Sequence, residues 1–80
     1  MKHLTTKPIN EYVEYQLEIF REECNFSDDE LKYFNYKAKN MTVIQICDKM
    51  MISQKKMYDI KRMVDTKMKI VEEKFLLDEE

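Results

Sequence analysis

Apolar positions along the chain fall into four stretches of helical period. Ile9, Val13, Leu17, Phe20 and Cys24 recur at three- and four-residue intervals and predict an amphipathic helix over about 8–24. Leu31, Phe34 and Ala38 predict a short helix over about 28–39, and Val43, Ile46, Cys47 and Met50 another over about 42–50. Met57, Ile60, Val64, Met68, Val71 and Phe75 carry one stripe through about 54–77. Tyr12, Tyr15 and Ile19 fall on the outer side of the first helix.

Start and stop signals sharpen these bounds. Ser27-Asp28-Asp29-Glu30 and Thr42-Val43-Ile44-Gln45 are capping boxes, in which the hydroxyl and the third residue's side chain each satisfy a free backbone amide. Thr6-Lys7-Pro8 places a cap and a proline at the first helix. Asn40 suits a left-handed residue after the second helix. Met51-Ile52-Ser53 forms a tight connection, with Ser53 capping the last helix. The result is an all-α fold: a small helix-turn-helix bundle of about four helices with a long C-terminal helix.

Composition removes competing readings. The 80 residues hold no glycine and one proline, so Gly-rich phosphate loops and Gly-bearing hairpin turns are absent. The chain reads as one domain over 1–80. It is 44% hydrophobic and 38% charged, too apolar for disorder and too interrupted by charge for a membrane span. Cys24 and Cys47 have no neighbour at metal-ligand spacing, and His3 is the sole histidine, which leaves no expected metal, cofactor or enzyme chemistry. No signal peptide is visible, so reduced thiols and a cytoplasmic location are expected. Cys47 reads as a small core residue and Cys24 as half-buried.

Charge is unevenly distributed around a net −2. Residues 1–30 carry three basic and eight acidic side chains, and 70–80 one basic and five acidic. Residues 49–69 carry seven basic and two acidic side chains, a local footprint of the kind that meets phosphate.

Two short helices joined by three residues, the second basic, spell a helix-turn-helix. Cys47 stands at the helix crossing, and Ile52 is placed to plug the turn. Met57 and Ile60 face inward while Gln54, Lys55, Tyr58, Asp59, Lys61 and Arg62 stay outside. Phe26-Ser27-Asp28-Asp29-Glu30, Ala38-Lys39-Asn40-Met41-Thr42-Val43-Ile44-Gln45-Ile46-Cys47, Met50-Met51-Ile52-Ser53-Gln54-Lys55-Lys56-Met57 and the closing Lys67-Met68 together resemble the LuxR-type and sigma-factor region 4 helix-turn-helix. The resemblance covers about 26–70 without gaps, and small phage and plasmid regulators of this kind are similar in size. Asn40 stands where the family usually has glycine, Gln45 where it has an acid, and Lys56 where it has threonine.

The resemblance implies a small DNA-binding transcriptional regulator whose last helix enters the major groove. By position its contacts are Tyr58, Asp59 and Arg62, preceded by Gln54 and Lys55. Lys56 and Lys61 complete the expected DNA-binding set, and Lys67 and Lys69 are candidate phosphate contacts. The competing reading is a helical adaptor that uses the same scaffold to bind RNA polymerase or another regulator. Ile70, Val71, Phe75, Leu76 and Leu77 form an apolar tail over 70–80. It is expected to build a homodimer through Val71, Phe75 and Leu76, as two-fold operators demand.

Overall fold

A computed structural model describes the backbone of residues 8–76 and the side chains of residues 8–74. Within them lie a 3₁₀ turn at Ile9–Glu11, α1 (Glu14–Glu23), α2 (Asp28–Ala38), α3 (Val43–Met50) and α4 (Gln54–Val71). A π-helical turn, Glu72–Leu76, follows α4 directly. No strand occurs among the described residues. The fold is the all-α bundle expected.

The three hydroxyl caps form as their spacing dictates. Ser27 Oγ accepts the Glu30 N–H at 3.3 Å, while Glu30 Oε1 accepts the Ser27 N–H at 3.0 Å. Thr42 and Gln45 repeat the exchange at 3.1 and 2.9 Å. Ser53 Oγ accepts the Lys56 N–H at 3.1 Å. Both α2 and α3 then stop in the same way. Asn40 and Met51 take left-handed backbone, φ 66° and 56°. The Met41 N–H reaches back to the Tyr36 carbonyl, and the Ile52 N–H to the Cys47 carbonyl, each at 3.2 Å. These are Schellman closures, which satisfy carbonyls the ending helix leaves free.

Left-handed backbone suits Asn40, but Met51 has a Cβ that crowds the carbonyl there. Its side chain is 87% exposed, so it gains little packing in return. Met51→Gly is therefore expected to stabilise the chain by about 0.5–1 kcal/mol, read as a higher urea midpoint at unchanged slope.

The N-terminal helix is shorter than its apolar stripe predicts. The 3₁₀ turn ends at Tyr12, whose backbone is extended (φ −82°, ψ 148°), and Val13 becomes the residue before α1. Gln16 Oε1 accepts the Val13 N–H at 3.1 Å, half of a capping box. This break shifts the phase by one residue. Tyr12, expected outside, is 5% exposed, and Val13, expected inside, is 54% exposed. The Tyr12 ring meets Phe20 edge-on at 5.0 Å, and its hydroxyl donates to Glu72 Oε2 at 3.1 Å. The strap at 8–13 thus closes over the end of α4.

One core joins the 3₁₀ turn and α1 to α4. Ile9, Leu17, Phe20, Phe34, Ile46, Met57, Val64 and Met68 are buried in it, each contributing about 1.5–3 kcal/mol relative to exposure. Two expected core residues sit shallower. Cys47 and Ile52 are half-buried, and Ile46 supplies the fully buried side chain of α3. The Schellman closure accounts for this at Ile52, because it fixes that residue's amide on the Cys47 carbonyl at the rim of α3. Cys24 departs in the other direction. It is 5% exposed, and desolvation pushes its thiol up to about 12, which makes it unreactive.

Candidate nucleic-acid interface

The α3–turn–α4 unit leaves most of the predicted residues exposed along α4. Met57 and Ile60 anchor the inner side of α4 at 0% and 6% exposure. Gln54, Lys55, Lys56, Tyr58, Asp59 and Arg62 are all exposed, and Lys61 is half-buried. On a 3.6-residue helix, Tyr58, Asp59 and Arg62 lie three, four and seven positions beyond Lys55 and share its outward side. Thr66 and Lys69 continue that side and are exposed too. The period of α4 already encoded this extension, although the sequence reading assigned no role to Thr66. Tyr58, Lys61, Arg62, Asp65, Thr66 and Lys69 line a shallow concavity of about 450 Å³ along the helix.

The electrostatics of α4 differ from those of α2. The first turn of α2 holds Asp28, Asp29 and Glu30, whereas that of α4 has no acid. Acids suit the positive end of a helix dipole and lysines oppose it. Lys55 and Lys56 therefore sit where an external anion is favoured and internal stability is not improved. Arg62 Nη1 is 3.9 Å from Asp59 Oδ1, with both side chains largely exposed.

Two basic residues of α4 hydrogen-bond to carboxylates within the chain. Lys61 Nζ bonds Asp65 Oδ2 at 3.1 Å, on the side where Pro8, Ile9, Tyr33 and Lys37 also gather. Burial pushes the hydroxyl of Tyr33 up to about 12, and the Asp65 charge adds to this. Lys67, expected as a phosphate contact, points inward instead. Its ammonium donates to Glu30 Oε1 at 2.6 Å and to the Asn25 carbonyl at 3.2 Å. It holds α4 to the start of α2 and is not part of the outward side. The sequence signal for this pair was faint, because Glu30 was fully explained as a capping residue.

The expected dimer residues separate. Val71 is 4% exposed and belongs to the core of the single chain, so it is not available to a partner. The stripe that carries Met57, Ile60, Val64 and Met68 continues through it, which is the physical reason. The side chains of Phe75 and Leu76 lie outside the described residues. Ile70 and Met63, at 53% and 46% exposure, are the aliphatic side chains that α4 leaves outside, besides the Tyr58 ring.

Among the described residues, no group of three or more His, Cys, Asp or Glu side chains is placed to hold a metal ion. Among the same residues, no helix is long and apolar enough to cross a membrane. Against protein families, curated proteins and solved structures, the chain has no match.

Proposed function

We propose that this protein is a small DNA-binding transcriptional regulator that reads the major groove with the start of α4. One observation carries the reading: Lys55, Lys56, Tyr58 and Arg62 stand exposed on the first turns of a capped helix whose first turn holds no acid. Met57 and Ile60 lock the opposite side into the core, and the Ser53 cap fixes the first turn. Lys55 and Lys56 suit phosphate, and Arg62 suits a base edge. A homodimer on a two-fold site goes with this reading, with Ile70 and Met63 as apolar contacts in place of Val71.

The test is a fluorescence anisotropy titration with a random AT-rich duplex at two salt concentrations. Lys55→Glu with Arg62→Glu is expected to weaken binding at least tenfold at low salt. It should also flatten the salt slope by about one unit per lost phosphate contact. Both side chains are exposed, so the variant keeps its helical circular dichroism. Unchanged affinity refutes the reading.

A second reading has its own support. Ile44 is 72% exposed on α3 and Met51 87% exposed in the turn. Both belong to the helix-turn-helix unit and are open to a protein partner such as RNA polymerase or another regulator. An adaptor that docks through them retains its partner in the Lys55→Glu, Arg62→Glu variant.

A further inference from the structure

Asp59 is the acid that stands on the outward side of α4 among Lys55, Lys56 and Arg62. The other two acids paired with basic residues of α4 have structural tasks: Asp65 binds Lys61, and Glu30 binds Lys67. Among the described residues, Asp59 has only the exposed 3.9 Å approach to Arg62, and a surface ion pair of that kind contributes little to stability. In a helix that merely met phosphates, a carboxylate at this place would lower affinity. Its effect is different at a base edge.

Guanine offers two acceptors in the major groove, thymine an acceptor and a methyl, and adenine an acceptor beside a donor. Cytosine alone presents a donor, N4, without an acceptor. A carboxylate is therefore repelled or unmatched except at cytosine. The guanidinium of Arg62 has the complementary preference, since its fork matches guanine O6 and N7. Residues three apart rise about 4.5 Å along a helix, within reach of one base pair or its neighbour. A single C·G pair presents both edges together.

We propose that Asp59 and Arg62 form a joint reader of C·G, with Asp59 accepting from cytosine N4 and Arg62 donating to guanine. This rests on the DNA-binding reading above. Asp59 acts as a filter that lowers affinity for every other sequence, and Arg62 supplies the matching attraction.

The experiment is selection from randomised duplexes by the full chain, followed by titration of the selected and random duplexes. The wild-type chain is expected to enrich C·G at one position and to prefer it about ten- to a hundredfold. Asp59→Ala is expected to bind random duplex several-fold more tightly and to lose the preference at that position. Asp59→Asn is expected to redirect it to A·T, because an amide matches adenine N6 and N7. The same C·G preference in Asp59→Ala as in wild type overturns the proposal and leaves DNA binding standing. A wild-type chain that binds no duplex overturns both.

Discussion

Phe34→Ala is expected to remove most of the chain's folding stability at 25 °C. Phe34 is fully buried on α2 and gathers three neighbours from elsewhere in the chain. Phe20 of α1 meets it edge-on at 6.1 Å, and Phe26 of the α1–α2 connection lies 5.0 Å away. The Arg21 guanidinium sits 5.7 Å from its ring centre. Truncation removes the ring contacts and opens a cavity, at about 3–5 kcal/mol. A small domain has roughly 5 kcal/mol in total. A urea midpoint lowered by more than half at 25 °C checks this, and a melt within a few degrees of wild type would contradict it. Ile52→Asp is expected to cost less, because the half-buried Ile52 leaves a substituted carboxylate in touch with water.

Lys67→Met is expected to cost about 3 kcal/mol at neutral pH, since it strands a carboxylate that is almost out of water. Glu30 is 8% exposed. Burial pushes its carboxyl upward, but bonds from the Lys67 ammonium and from Ser27 outweigh this and hold it below its ordinary value. The sign for stability follows. Glu30 binds its proton less readily in the folded chain, so its contribution is complete above the ordinary carboxylate range near about 4.3. It is lost as pH falls from there through the folded value. In Lys67→Met only the desolvation and the Ser27 bonds remain, so this acid loss shrinks. Urea titrations at pH 7 and pH 4 read both effects. Adding Glu30→Gln to Lys67→Met is expected to restore most of the stability at pH 7. A Lys67→Met cost below about 0.5 kcal/mol would show the pair to be solvated.

The residues that read most reliably from sequence are those whose structure is decided within four or five positions. Ser27, Thr42 and Ser53 cap their helices because the amides they satisfy lie three residues on. Asn40 takes the left-handed backbone expected of it. The bounds of α2 and α3 follow from these signals, and so does the start of α4. The outward positions of Lys55, Tyr58, Asp59 and Arg62 follow from the helical period once Met57 and Ile60 are known to face inward.

What the sequence left open depends on partners far along the chain. A regular stripe from Ile9 to Cys24 carries no mark of the extended backbone at Tyr12, which is favoured by packing on Phe20 and by Glu72, 60 positions later. Lys67 reads like any surface cation until α4 crosses the start of α2 and brings it to Glu30, 37 positions away. Val71 reads equally well as core or as a contact between subunits until the strap and α1 close over the end of α4. Short-range hydrogen bonds and the 3.6-residue period are properties of neighbouring residues, so the sequence alone determined the helices and their caps. Burial and ion pairing are properties of which helices meet, so only the tertiary structure decided where Tyr12, Lys67 and Val71 belong.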